Sequence, residues 1–344
     1  MDSTSLHLDY LPSNRLADQS ASWWDGVLGI VGFERPPPID LAQVPITASM
    51  TPSLGGGDDL CEVWRITGAQ EVALATRSVW QGRVHYRYCD DLLFGSITID
   101  EEEIGDVAAG AALLEATTTA YRDIFAVLDE TQHRHLIRVW NYLPEINRDA
   151  DGDERYRHFN SARQTAFRIS GRSTVGTVPA ASALGSPAGS PISIYFLASR
   201  AAPQMIENPR QTSAYHYPRK FGRHSPVFSR ACVLSESSGT SLFVSGTASI
   251  VGHETIHHGD VSAQTRETVA NIDALIQEAN RVVGAPRYST ADLKFKVYVR
   301  QPADLQVIER TLSETLPASA SIVYLQADVC REDLLVEIEA TGET

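Results

Sequence analysis

The chain has 344 residues, 43% of them hydrophobic and 21% charged, and a formal net charge of −14 at pH 7. This is an ordinary globular composition, and its length predicts about two domains. The acidic balance argues against nucleic acid as a partner, because such proteins carry a basic face; any anionic substrate needs arginines gathered locally. No apolar run is long enough to cross a membrane.

The first residues, MDSTSLHLDYLPSNRL, have neither a basic start nor a continuous apolar core, so no signal peptide is expected. Cys61, Cys89, Cys232 and Cys330 are scattered without a C-x-x-C pair, which predicts reduced thiols in a cytoplasmic protein. Residues 1–58 read as an irregular N-terminal arm, marked by Trp23-Trp24, the prolines at 36–38 and the glycines at 55–57.

A first domain-sized unit is expected over 59–205. LLFGSITI (92–99) predicts a strand, and Asp106 caps a helix striped by Val107, Leu114, Tyr121, Phe125 and Leu128. LIRVWNYL (136–143) is a second strand, residues 155–168 are helical, and GTVPAASALG and PISIYFLAS are two closing strands. The acidic stretch Asp149–Glu154 reads as a solvated loop, and Ser186–Pro191 as a hairpin connection.

The same order returns over 206–344. Leu242, Phe243 and Val244 form a strand ending at Ser245-Gly246. After a histidine-rich loop, Asp260 caps a helix with Val261, Val269, Ile272, Ile276, Ala279 and Val283 on one face, stopped by Gly284 and Pro286. LKFKVYVR (293–300), a helix around 303–315, SASIVYLQADV and LLVEIEA complete the copy. Self-similarity at this length predicts two copies of one α/β unit, not a solenoid. The connector 208–231 differs in character: Arg210, Arg219, Lys220, Arg223 and Arg230 interleave with Tyr215, Tyr217, Phe221 and Phe228. It is either a basic surface loop or the lining of a pocket between the units.

Two motifs bear on chemistry. His253-Glu254-Thr255-Ile256-His257 matches H-E-x-x-H, but that zinc motif works only on a helix, and here Gly259-Asp260 separates it from the helix start. A polar loop is expected, not a peptidase, and no metal is expected. In the last strand, alternation places Val336, Ile338 and Ala340 on one face and Glu337 and Glu339 on the other. The matching strand of the first unit, PISIYFLAS, has no carboxylate, so the glutamates are not needed to build the unit. A buried glutamate with a raised pKa is a general acid near neutral pH.

The strand–loop–helix SGTASIVGHET…GDVSAQTRETVANID, the KVYVRQPADL strand and the final VEIEA resemble the Rid/YjgF-like fold. With AYHYPRKFGRHSPVFSRA and NYLPEIN…YRHFNSARQTAF, residues 60–344 resemble a chorismatase. The resemblance implies two tandem Rid/YjgF-like (chorismate-mutase-like) α/β units, each a mixed β-sheet with helices on one side, and an active site near their interface. It also implies cofactor-free cleavage of the enolpyruvyl ether of chorismate with release of pyruvate. Family members differ in leaving a dihydroxycyclohexadiene carboxylate, 3-hydroxybenzoate or, in some, the 4-isomer.

On this resemblance Glu337 is the acid that protonates the enolpyruvyl methylene. Arg300 is the first candidate for a substrate carboxylate, followed by Arg163 and Arg223, because a planar guanidinium holds a carboxylate bidentately. Tyr217, Asn141 and Tyr142 are expected to hydrogen-bond the substrate, and Gly246 and Ala248 to form a close pocket wall. Cys330 is either a small core residue or, as the resemblance implies, a thiol of the 3-hydroxybenzoate-forming type. The Rid imine deaminases pair the strand glutamate with an arginine on the preceding strand, which here reads ASIVYLQA, so imine hydrolysis is not expected. Rid-type proteins place sites between subunits of a trimer, whereas a tandem repeat makes the cleft within one chain, so the oligomeric state stays open. Two functional readings remain: a chorismatase forming 3-hydroxybenzoate (or the diene diol), and a non-catalytic small-carboxylate binder in which Glu337 is structural.

Overall fold

The computed structural model describes residues 5–39, 44–55, 59–67, 73–79, 82–105, 108–235 and 239–343. Of the expectations above, Asp106, Val107, Gly56 and Gly57 lie outside the described residues. No described helix is long and apolar enough to cross a membrane.

The N-terminal segment corrects the expectation of an irregular arm. Strands β1 (Ser5–Pro12), β2 (Val27–Gly32), β3 (Ile46–Ala48) and β4 (Leu60–Thr67) form a four-stranded sheet in the order β1-β4-β2-β3, with a short helix α1 (Ala21–Asp25) between β1 and β2. Leu6 and Leu8 alternate inward while His7 and Asp9 stay partly exposed, and β2 is buried throughout. The proline and glycine clusters only separate these short strands. Because β4 pairs with β1 and β2, it belongs to this sheet and not to the unit that follows.

The first unit runs β5 (Ala73–Val79), β6 (Gly82–Tyr88), β7 (Leu92–Ile99), α2 (Ala109–Thr131) and β8 (His135–Pro144). It continues through a short hairpin, β9 (Asp149–Ala150) and β10 (Asp153–Glu154), to α3 (Arg155–Ile169), β11 (Ala180–Ser186) and β12 (Ile192–Ser199). The second runs β13 (Gln204–Ile206), β14 (Ala231–Ser235), β15 (Thr240–Thr247), the hairpin β16 (Ile250–Val251) and β17 (Glu254–Thr255), and α4 (Val261–Val283). It ends with β18 (Leu293–Val299), α5 (Leu305–Thr315), β19 (Ser321–Gln326), β20 (Asp328–Val329) and β21 (Val336–Glu343).

The sheet orders are β11-β8-β12-β7-β6-β5 in the first unit and β19-β18-β21-β15-β14-β13 in the second, with β20 added to the outer edge of β11. Strand for strand these match, including the parallel pairs β8/β11 and β18/β19. The helix signals hold locally: the Asp260 side chain accepts the Ala263 N–H at 2.9 Å, and Gly284 closes α4 at φ 77°. The H-E-x-x-H stretch lies on the β16–β17 hairpin and its exit, with His257 at φ 61°, so its histidines are not one helical turn apart.

Each sheet buries one face under its own helices. Leu113, Tyr121 and Phe125 of α2 and Phe159 and Phe167 of α3 pack on the first sheet. Val269, Ile272 and Leu275 of α4 and Ile308 and Leu312 of α5 pack on the second, against Val297 and Ile338. The other faces meet in a shared core with the N-terminal sheet, through Phe33, Trp64, Trp140, Tyr195, Phe243 and Tyr298. Charge is buried inside this core. Lys296 Nζ lies 2.6 Å from Glu62 Oε2 and 2.8 Å from Glu339 Oε1, and Arg138 lies 2.6 Å from Glu339 Oε2. Burial opposes the charge on Lys296, yet Glu339 and Glu62 hold its pKa well above the ordinary value. Glu62 comes from β4, Arg138 from β8, and Lys296 and Glu339 from β18 and β21, so the cluster ties three sheets together.

Lys296→Met is expected to lower unfolding free energy by about 3–5 kcal/mol at neutral pH, because it leaves two buried carboxylates without their shared cation. Denaturant unfolding of the variant beside the unaltered protein measures this.

Candidate active site

Alternation along β21 sends Val336, Ile338 and Ala340 into the core beneath α4 and α5, and turns Glu337 and Glu339 to the inner face. Both carboxylates are buried, at 3% and 5% exposure, so they are not a solvated stripe. The neighbouring strand β15 shifts register between Val244 and Thr247, and this bulge brings Gly246 against Glu337. A Cβ at 246 would lie 1.9 Å from Glu337 Oε1, so only glycine leaves room for the carboxyl.

Glu337 opens into a cavity of about 470 Å³, well within the size range of small-molecule sites. Both units contribute to it. From the first come Asn147, Asp149 and Glu154 around the β9–β10 hairpin, and Tyr156 and Arg157 of α3. From the second come Gly246, Ala248 and Ile250, the loop Cys330–Asp333, and Glu337. The connector closes it with Tyr217, Phe221, Phe228 and Arg230, so the connector does line a pocket. A small recess of about 30 Å³ continues behind, between Arg163, Asn160, Phe159, Cys330 and Glu337.

The two glutamates titrate in opposite directions. Burial, reinforced by the negative charge of Glu339, pushes Glu337 up to about 8. Glu339 is equally buried, but Lys296 and Arg138 hold it below the usual carboxylate range. Burial and the neighbouring Glu337 also raise the Cys330 thiol to about 12, so it keeps its proton at neutral pH. The site therefore holds one neutral acid and one fixed anion, the arrangement that separates acid from base roles in catalytic carboxyl pairs.

Three arginines surround the acid with hydrogen-bonding capacity to spare. Arg230 donates to Tyr217 Oη at 2.7 Å and the Thr212 carbonyl at 2.8 Å, and leaves Nε without a partner. Arg331 is stacked 4.1 Å over Phe221, donates to the His253 carbonyl, and leaves its second terminal nitrogen unpaired. Arg163 is 2% exposed and packed over Tyr121 and Phe159, with Nε and one terminal nitrogen unpaired. Buried donors without acceptors are costly, and donors grouped around a neutral acid match an anionic ligand.

Of the expected site residues, Glu337, Cys330, Tyr217, Gly246 and Ala248 come together in the cavity, and Arg163 in its recess. Four do not. Arg300 is committed elsewhere: it donates to Asn147, Asp328 and the carbonyls of Val329, Arg331 and Leu334, and so fixes the loop that carries Cys330 and Arg331. Arg223 is exposed and outside the cavity. Tyr142 lies in the inter-sheet core, 2.8 Å from Tyr298 Oη. Asn141 accepts from Tyr121 Oη and donates to the Ser182 carbonyl, so its amide is already spent. Sequence reasoning missed Arg331 and passed over Arg230 for Arg223. The signal for Arg230 is its place directly before the buried β14 residues Ala231–Leu234, where an arginine begins to point inward.

The fold and the cavity define an α/β protein with a buried neutral acid and an arginine-lined cleft between two duplicated units. Residues 62–198 match the family described as chorismatase FkbO/Hyg5-like, N-terminal. A Streptomyces hygroscopicus protein described as 3-hydroxybenzoate synthase is 42% identical over 68% of this chain and 71% of its own length. A Streptomyces rapamycinicus protein described as chorismatase is 38% identical over 82% of each chain. A chorismatase crystal structure superposes with a TM-score of 0.83 at 30% identity, covering 99% of both chains. The chain belongs to the chorismatase family.

The raised pKa of Glu337 has a stability consequence. The folded state keeps this proton up to about pH 8, whereas the unfolded chain releases it near the ordinary carboxylate value. Stability contributed by the neutral form is therefore lost as pH rises through that window. Glu337→Gln, which is neutral throughout, is expected to melt above the unaltered protein at alkaline pH, with the gap closing toward pH 5. Melting temperatures of both proteins across that range check the sign.

Proposed function

We propose that the protein is a chorismatase that cleaves the enolpyruvyl ether of chorismate to pyruvate and 3-hydroxybenzoate, with Glu337 as the general acid. The observation that carries this reading is a carboxyl held neutral near physiological pH, at the end of a cleft whose arginines retain unpaired donors. Chorismate brings two carboxylates and an enol ether whose cleavage begins with proton transfer to carbon. Protonation of the methylene by Glu337 generates an oxocarbenium ion beside the ether oxygen. Water attacking that cation gives a hemiketal, whose collapse to pyruvate leaves the electron pair and a proton on the ring oxygen and yields the diene diol. In the water-free route the neighbouring ring hydroxyl attacks the ring carbon that bears the activated ether, and pyruvate leaves with the electron pair of that carbon–oxygen bond. Opening of the resulting epoxide with loss of a ring proton gives the aromatic acid. Conversion to pyruvate and the aromatic acid consumes no water overall, whereas the diene diol requires one.

In this reading Arg230 and Arg331, with Arg163 behind, hold the substrate carboxylates, and Arg300 acts through the 328–335 loop. Cys330 stays a thiol and stands beside the ring, where it relays a proton during aromatisation. The division of labour follows the two units proposed here: the C-terminal unit from about residue 206 supplies the acid, and the N-terminal unit supplies the facing wall. The relative described as 3-hydroxybenzoate synthase supports the aromatic product over the diol.

The decisive experiment is incubation of purified protein with chorismate, without added metal or nucleotide, with chromatography of the products. Glu337→Gln is expected to remain folded and lose turnover by roughly 10²–10⁴; a variant keeping more than about a tenth of the activity removes Glu337 from this role. In the unaltered enzyme kcat should be level on the acid side and fall as pH rises through about 8, where Glu337 gives up its proton. If the main product is a non-aromatic diol from both the unaltered enzyme and Cys330→Ala, the role given to the thiol fails.

Arg230→Ala is expected to weaken substrate binding by about 2–5 kcal/mol, as for loss of one partner of a buried charged pair. Lysine should restore it only in part, because it lacks the planar fork. Michaelis constants of both variants test this, and unchanged values move the carboxylate away from Arg230.

A further inference from the structure

The chemistry proposed above uses Glu337 and leaves the second buried carboxylate of the same strand face without a task. We propose that Glu339 is a positioning residue for the reaction: its saturated, permanently charged carboxylate confines the shared proton of the pair to Glu337. This rests on the reading of Glu337 as the acid.

The geometry carries the argument. Glu339 Oε1 accepts from Trp140 Nε1 at 2.7 Å and Lys296 Nζ at 2.8 Å. Its Oε2 accepts from Arg138 at 2.6 Å and Ser182 Oγ at 2.7 Å. Two donors on each oxygen fill the acceptor positions of an ionised carboxylate, so a proton added to Glu339 must displace one of them. Glu337 stands two residues along the strand, about 6.6 Å of rise away, and receives no hydrogen bond from the described residues. One carboxyl is thus clamped as the anion, and the other faces the cavity with no hydrogen-bond donor on its oxygens among the described residues. A pair coupled in this way takes up protons jointly, and the clamp decides which member receives the first.

The other groups facing Glu337 do not provide this. Arg138 on β8, Arg230 at the start of β14 and Arg300 after β18 all favour its ionised form. Arg163 of α3 adds a further positive group at the recess. Cys330 and Tyr156 are neutral at working pH, because burial raises both. Glu339 is the largest charge acting in the opposite sense.

The test is the pH dependence of kcat with chorismate for the unaltered enzyme, Glu339→Gln and Arg138→Gln. In Glu339→Gln the falling limb should move to lower pH by about one unit or more, the usual effect of one nearby charge, with activity recovering in acid. In Arg138→Gln, which removes a cation, the limb should move to higher pH. A purely structural role would lower activity evenly at every pH, and unmoved limbs in the folded variants overturn the proposal. Should neither variant fold, infrared difference spectra of the unaltered protein and Glu337→Gln at neutral pH decide it. Loss of a protonated-carboxyl carbonyl band supports confinement of the proton to Glu337, and loss of carboxylate bands alone overturns it. Retained turnover in Glu337→Gln would refute the acid itself, whereas an inactive Glu337→Gln with unmoved limbs refutes only the part given to Glu339.

Discussion

The buried ionic cluster of Glu62, Lys296, Glu339 and Arg138 is the constraint on which the molecule depends. Each of the two larger sheets could bury its helical face alone, but their inner faces and that of the N-terminal sheet would then expose Trp64, Trp140, Tyr195 and Tyr298. Packing them together strands four ionisable groups away from water, and such groups are tolerable only when fully paired. The pairing here is complete: Trp64 Nε1 also donates to Glu62, and Tyr195 Oη meets both Glu62 and Lys296. Apolar burial drives this assembly, while the charges admit one relative placement of the sheets. Because the cleft at Glu337 lies between two of those sheets, its geometry is set by the same placement.

Much of this was legible in the sequence. The α4 boundaries at Asp260 and Gly284, the β7 strand at 92–99 and the placing of Glu337 and Glu339 together on the face opposite Val336 and Ile338 all followed from local patterns with one physical cause each. The duplicated order of elements was legible for the same reason, since strand–helix–strand–helix–strand–strand appears twice. The N-terminal sheet was not, because its strands are short and separated by proline and glycine clusters that mark loops equally well. The arginines were the weakest part. Sequence spacing places Arg300 at the end of a strand, beside the site, but only tertiary structure shows its guanidinium consumed by loop carbonyls. Arg331 becomes a pocket residue only because connector rings from a distant stretch stack beneath it.

The register of the two sheets explains why one unit carries the acid. Tyr142 pairs with Ser193 in the first sheet as Tyr298 pairs with Glu337 in the second. Two residues on, Trp140 pairs with Tyr195 as Lys296 pairs with Glu339. The matched tyrosines, Tyr142 and Tyr298, touch hydroxyl to hydroxyl at 2.8 Å. At the positions where the second unit places two carboxylates and a lysine, the first places a serine and two aromatic rings, and Trp140 stacks on Tyr195 at 4.6 Å.

That difference has a structural complement in the N-terminal sheet. Ser193, the counterpart of Glu337, donates to the Ala48 carbonyl at 2.7 Å and is fully buried against β3. The place where a second cleft would open is thus filled by backbone from the first 48 residues, and a hydroxyl suffices to satisfy it. A carboxylate there would meet a carbonyl oxygen and would need a proton merely to be tolerated. The added sheet therefore does two things at once: it covers the inner face that duplication alone leaves exposed, and it leaves the cleft at Glu337 as the position where the strand's inward polar group faces a cavity instead of backbone. Duplication supplies the scaffold twice, and covering one copy leaves the open cleft in the other.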